Sequence, residues 1–323
     1  MLDNFWLKKI NNKKILEISK LKGGVSSEVY KVKTIQDIYC IKRPLPKLLV
    51  KKDWYVNTNR IKYEYLWLKH CKKLLPRSIP KIYKFDKKSN SLMIEYLNEK
   101  KFLNLKSELL KGKINYQLIN KIGKNLSIIH NNSMKKNIEK IFSPNFRNFY
   151  DLRLDAYFNE VKRVHSNLSS FVNNIIKQYK ENRITLVHGD MSPKNILFYK
   201  NEIKFLDAET ANFGDPVFDV VFFTNHLLIK SIYISNKKNH FLKAYKNFID
   251  TYISNSNCED KKFFFRRCLN MIPLMLIARV DGKSPVEYVT SVKMKNEIRK
   301  LSFKLLNKKD ISLGNLLNIC SNE

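Results

Sequence analysis

Residues 186–198 read LVHGDMSPKNILF, a cluster of polar, bendable residues set between two apolar runs. Gly, Asp, Ser, Pro and Asn are turn formers, so the stretch alone describes a surface turn. The residues after it call for more than a turn. ILFY (196–199), KNE (200–202) and IKFLD (203–207) have the alternation of a β-hairpin. With the hairpin centred on Asn201, residues equidistant from it stand opposite one another. Asn195 and Asp207 form such a pair, and cross-strand neighbours lie about 5 Å apart. Glu209 returns to the same face two residues later if the chain stays extended. An amide and two carboxylates converging on one point are hard oxygen ligands of the kind Mg²⁺ takes.

Working outward, residues 15–44 alternate as strands: KILEISKL, a GGVSS break, EVYKVKT and IYCIKRPL. A helical period covers 57–75, and IPKIYKFD and SLMIEYL (79–97) return to strand character. Beyond Leu97 the pattern turns helical. Leu118, Ile122, Leu126 and Ile129 recur at helical spacing, and 148–181, 238–254, 261–280 and 286–307 read likewise. The expected class is α+β, with a β-rich part at 1–97 and a mostly helical part at 98–323. The β-rich island at 185–207 lies inside the helical part.

Asp190 precedes Asn195 by the spacing of a kinase catalytic loop, where the Asp orients or deprotonates a hydroxyl and the Asn holds metal. His188 then braces the loop. The first part supplies companions for it. In KGGVSSEVYKV, Gly23, Gly24, Ser26 and Ser27 leave backbone N–H groups free to approach phosphates. Lys42, in YCIKRPL on the third strand, stands where a kinase places its phosphate-binding lysine. Glu64, on the following helix, is the candidate ion-pair partner for Lys42. Glu95, Tyr96 and Leu97 close SLMIEYL, where backbone groups are expected to hydrogen-bond adenine.

HGDMSPKN, then LDAE and FGDPVFD, resembles the aminoglycoside phosphotransferase, choline kinase and methylthioribose kinase group of small-molecule kinases. The likeness is densest over 186–229 and extends more thinly over 15–305. RPLPKLLV (43–50), Arg60, Glu64, IPKIYKFD and MIEYL are most similar to the methylthioribose kinase branch. The resemblance implies a protein-kinase-like, two-lobed fold with 1–97 as nucleotide-binding N-lobe and 98–323 as catalytic and acceptor-binding C-lobe. It implies ATP and Mg²⁺ as cofactors and a hydroxyl of a small molecule as acceptor. Asp190 and Lys42 become catalytic, Asn195, Asp207 and Glu209 metal-binding, and Asp219 a support for the catalytic loop. Where the methylthioribose enzymes carry paired arginines, near Ile272 and Pro273, this chain is apolar. LIARVDGKSPVEY (276–288) offers Arg279 and Lys283 as acceptor-binding candidates instead.

Bulk properties exclude several other classes. At 323 residues, 44% hydrophobic and 12% aromatic, the chain has ample material for packed cores. Five scattered cysteines form no CxxC and fit reduced thiols. The 61 basic residues outweigh 29 acidic ones, a formal net charge of +32. That excess is mainly lysine spread along the chain, without an Arg-rich arm, a zinc finger or an RNP-like aromatic run. The alternative function is a kinase-like module that holds RNA on this charge without catalysis. Such a binder has no use for Asp190, Asn195, Asp207, Glu209 and Lys42 together. A protein kinase is disfavoured, because FGDPVFD follows Glu209 too closely to leave room for an activation loop. VVFFTNHLLI (220–229) and MIPLMLIA (271–278) are too short to span a bilayer, and charges interrupt the N-terminus. No membrane association and a cytoplasmic location are therefore expected.

Overall fold

The computed structural model describes residues 15–21, 24–50, 53–308 and 312–322. Lys42 lies in the middle of a five-stranded antiparallel sheet built from β1 (Ile15–Lys20), β2 (Ser27–Thr34), β3 (Ile38–Pro44), β4 (Ile82–Asp86) and β5 (Ser91–Glu95). The spatial order is β1-β2-β3-β5-β4, so β3 is central and Lys42 stands between Val29 on β2 and Leu92 on β5. Alternation along β3 then divides its side chains between two faces. Tyr39 and Ile41 join Tyr30, Val32 and Met93 in a small apolar core. Cys40 and Lys42 belong to the opposite face. Helix α1 (Arg60–Leu74) packs on the sheet and buries Arg60, Ile61, Glu64, Trp67, Leu68 and Cys71 along one stripe. Trp67 and Leu68 belong to the main core, which continues from α1 into the helical part.

The fold is protein-kinase-like: this sheet is followed by a larger, mostly helical part. Its main helices are α2 (Tyr116–Asn131), α3 (Ser169–Glu181), α4 (Val217–Tyr233), α5 (Lys238–Asn255), α6 (Lys261–Asp281), α7 (Val292–Leu306) and α8 (Leu313–Ser321). Every residue of α4 from Val217 to Ser231 is buried, and the helix packs against both α5 and α6. A helix apolar on all sides has to sit inside a core, which is where VVFFTNHLLI belongs. Among the described residues, no single helix is long and apolar enough to cross a membrane.

Two helical expectations need adjustment. The pattern over 148–181 breaks at His165, and Tyr150–Asn159 winds as a π-helix. The expected helix at 286–307 starts only at Val292, capped by the hydroxyl of Ser291. Val286 N–H instead donates to the Arg279 carbonyl at 2.9 Å, which turns the chain back onto the end of α6 and leaves 286–291 irregular.

The island at 185–207 holds the site. The two-residue strand β6 (Leu103–Asn104) pairs with β8 (Ile196–Tyr199), which pairs with β9 (Glu202–Phe205). Alongside, β7 (Thr185–Val187) pairs with β10 (Asn212–Gly214). The hairpin register differs from expectation by one residue. Ile196 faces Phe205 and Tyr199 faces Glu202, so the centre is the Lys200–Asn201 bond rather than Asn201. A two-residue loop makes the connection, with Lys200 at φ 53°. Asn195 is therefore opposite Leu206, whose N–H donates to the Asn195 carbonyl at 2.9 Å. A slip of one would send Asp207 to the wrong face. The backbone corrects this locally, because Asp207 adopts φ 66° and leaves strand geometry altogether.

Candidate active site

Strand β7 delivers the chain into the loop at His188. Asp219, in the first turn of α4, receives two backbone donors of that loop. Its Oδ2 accepts from His188 N at 2.6 Å and its Oδ1 from Gly189 N at 2.8 Å. Gly189 has φ 75°, and a Cβ there would lie 2.6 Å from the Thr210 carbonyl oxygen. Gly189→Ala is therefore expected to lose about 2–5 kcal/mol of stability, read by urea unfolding, and activity with it. Nδ1 of His188 accepts from Asp190 N at 3.2 Å, and Nε2 donates to the Leu206 carbonyl at 3.0 Å. Burial lowers the His188 pKa, so the ring is neutral with its proton on Nε2. It braces the loop against Trp67, 4.9 Å away in an edge-on arrangement.

The Asp190 carboxylate is 3% exposed and meets two cations. Arg153 Nη2 is 3.0 Å and Lys194 Nζ 3.3 Å from its Oδ2. Burial favours the protonated acid, but Arg153 and Lys194 outweigh it and hold the carboxyl well below the usual range. Arg153 also donates from Nε to the Gly189 carbonyl at 2.7 Å, fixing charge and loop together. Asn195 donates from Nδ2 to the Asp190 carbonyl at 2.9 Å, which leaves Oδ1 as its acceptor.

On the sheet side, Lys42 Nζ lies 2.6 Å from Glu64 Oε2 and also donates to Asp207 Oδ1. Burial opposes the ammonium charge, yet Asp207, Glu64 and Glu209 together raise the Lys42 pKa. Burial likewise opposes the Asp207 carboxylate, and Lys42 and Lys194 reverse that and lower its pKa. Glu209 is held differently from its neighbour. Its Oε2 accepts from Arg60 Nε at 3.0 Å, while Arg60, fully buried, also donates to the carbonyls of Asn57, Ser26 and Leu45. One guanidinium thus joins the serine loop of the sheet to the carboxylate that follows Asp207.

The remaining nucleotide-side candidates lie close by in the fold. Ser27 stands opposite Pro44, two residues along β3 from Lys42, and a Cβ on Gly24 would come within 2.9 Å of the Ser27 carbonyl. Ser26 accepts at its carbonyl from Leu45 N. Gly23 lies outside the described residues. At the end of β5, Glu95 Oε2 accepts from Lys81 N at 3.0 Å, the Tyr96 N–H reaches the Ile38 carbonyl at 3.4 Å, and Leu97 is buried.

Of the two acceptor candidates, the structure brings one to Asp190. Arg279 and Asp190 line the same small cavity, together with Tyr157, Lys194 and His226. Lys283 does not line it. Its backbone N–H is tied to Ala156 O at 2.8 Å, which carries the ammonium away to Asp155 at 3.0 Å.

No curated protein matches this chain. The sequence model of the phosphotransferase enzyme family, however, matches residues 17–245. The chain belongs to that family. Solved structures similar to this phosphotransferase include a spectinomycin phosphotransferase with ADP and spectinomycin, at TM-score 0.55 and 15% identity over 98% of this chain and 95% of that one. An ethanolamine kinase from Plasmodium vivax gives 0.54 at 15% identity, covering 95% of this chain and 81% of its own. A choline kinase from Cryptosporidium parvum gives 0.56 at 13% identity, covering 93% and 91%. At such identities the likeness is one of fold, and it does not single out a methylthioribose branch.

Three residues of the phosphotransferase site escaped the sequence reading in its functional part. Lys194 was within reach, since it lies four residues after Asp190 inside the same loop. Arg60 carried only a family likeness, with no sign that it meets Glu209. Arg153 had no signal at all, because its position depends on a π-helical stretch that periodicity does not anticipate.

Proposed function

We propose that this phosphotransferase moves the terminal phosphoryl group of ATP, with Mg²⁺, to a hydroxyl of a small molecule. The observation that carries the reading is Asp190. It is an ionised carboxylate on the wall of a cavity, close enough to Asp207 for their charges to interact. On this reading residues 1–97 bind the nucleotide, and residues 98–323 carry the catalytic loop and the acceptor. The sheet-side groups Gly24, Ser26, Ser27, Lys42, Glu64 and the 95–97 segment would face the nucleotide. The ADP bound in the spectinomycin enzyme supports that side of the proposal.

The donor set suits Mg²⁺. Among the described residues, no cluster of three or more His, Cys, Asp or Glu side chains stands ready to enclose a metal by itself. Mg²⁺ is ordinarily held by one or two protein oxygens plus phosphates and water, which Asp207 and the Oδ1 of Asn195 match. Glu209, engaged by Arg60, is a supporting carboxylate in this scheme. When bound, the metal supplies charge neutralisation on the phosphates.

The protein's own residues do the positioning. Lys42, kept charged and extended by Glu64, binds phosphate oxygens. Asp190 accepts a hydrogen bond from the acceptor hydroxyl and takes its proton as the new O–P bond forms and the bond to the ADP oxygen breaks. A carboxylate with so low a pKa is a weak base, so its main effect is orientation, with proton transfer late, as a loose transition state permits. Replacing Asp207 with Asn removes one charge-assisted contact and is expected to weaken Mg-ATP binding about tenfold to a hundredfold. Calorimetry checks this. Unchanged affinity removes Asp207 from the site.

A further inference from the structure

The cavity beside Asp190 is lined by more cations than carboxylates. Besides Asp190, its wall carries one carboxylate, Glu287, and three cations, Lys106, Lys194 and Arg279. Glu287 is bound by Lys106, and Asp190 by Lys194 and Arg153. Arg279 remains. It is 7% exposed, and its Nη1 donates only to uncharged oxygens, the Tyr157 hydroxyl and the Ser284 carbonyl. Its Nε has no hydrogen-bond partner. Glu287 feels the Arg279 charge without coming within ion-pair distance of it. The Tyr157 ring, 5.2 Å from the Arg279 Cζ, and these two oxygens compensate the buried guanidinium only in part, and a bound anion offsets the remaining desolvation cost.

A second basic group lies behind the cavity wall and likewise has no carboxylate partner. Lys230 of α4 is completely buried, and its ammonium bonds only to the Tyr288 hydroxyl, at 3.2 Å, on the cavity wall. Burial, with Lys106 and Arg279 nearby, pushes its pKa down to about 7. The remaining wall residues, His226 and Tyr157 among them, bring no negative charge. A cationic acceptor would meet Arg279 with no free carboxylate to receive it.

We propose that the acceptor carries an anionic group, a carboxylate or a phosphate, which docks on Arg279 while its hydroxyl meets Asp190. This rests on the kinase reading above and names the class of compound the site selects.

Calorimetry on the full chain tests it, with and without Mg²⁺ and a non-hydrolysable ATP analogue. The probes are D-glycerate, glycerol 3-phosphate, uncharged glycerol and cationic choline. At least one of the two anions is expected to bind about tenfold or more tightly than glycerol, with choline weakest. Comparing glycerate with glycerol 3-phosphate shows which anion is preferred. Arg279→Gln keeps a donor for Tyr157 and Ser284 while removing the charge, and should weaken the anion about tenfold to a hundredfold. Arg279→Lys should retain part of the preference and serves if the Gln variant fails to fold. Choline or glycerol binding as well as both anions overturns the proposal. So does an anion preference that survives in Arg279→Gln, or failure of both anions to bind at millimolar concentration. A failure of the kinase reading shows separately, as absent binding of the nucleotide analogue when it is titrated alone.

Discussion

Asp190→Asn is expected to lower kcat by at least about a hundredfold, the lower end of what a positioned acid–base group supplies, with Mg-ATP affinity staying within a few-fold. The asymmetry follows from geometry. Asp190 touches Arg153, Lys194 and the cavity, whereas Lys42, Glu64 and Asp207 form the group assigned to the nucleotide. The variant also has a pH signature. Because Asp190 titrates below its unfolded value, the ion pair stabilises the fold fully above about pH 4 and is lost as pH falls through the depressed value. Asn removes that pH-dependent part, so acid unfolding of the variant should be less steep at the low end. Loss of nucleotide binding with retained turnover would reverse the assignment of roles.

Asp219→Ala is expected to be at least as damaging, through folding rather than chemistry. It strips the partner from two buried amides, those of His188 and Gly189, and each buried donor left unsatisfied costs about 1–3 kcal/mol. The sum, about 2–6 kcal/mol, is a large share of the stability of an ordinary domain. Asp219→Asn should fall between, since an amide presents one acceptor oxygen where two donors wait. Urea unfolding of the two variants beside the parent measures both. A stable Asp219→Ala protein lacking only activity would show that the loop holds its shape without α4.

Much of this arrangement was legible in the chain because local pattern determined it. Alternation gave the strands, and a lysine on the third strand with a glutamate on the next helix gave the pair that stands 2.6 Å apart in the structure. The spacing from Asp190 to Asn195 gave the loop. What escaped depends on distant parts of the sequence or on backbone detail. The hairpin register turned on whether the loop held three residues or two, which KNE alone does not decide. Arg153 reaches Gly189 and Asp190 from a segment 36 and 37 residues earlier. Lys283 looked equivalent to Arg279 on paper, and only the tie from its backbone to Ala156 separates them.

The left-handed backbone at Asp207 limits which residue types that position can hold. Such a φ is adopted readily by achiral Gly and, among L-residues, at modest penalty by Asn and Asp, while others pay roughly 1–2 kcal/mol. Contact with Lys42, by contrast, selects for a carboxylate, which means Asp or Glu. The two requirements overlap in a single amino acid. Glu would keep the charge and strain the chain, and Asn or Gly would relax the chain and lose the charge. A library randomised at this codon and selected for activity should therefore return Asp alone, whereas one selected only for folding should return Asp, Asn and Gly.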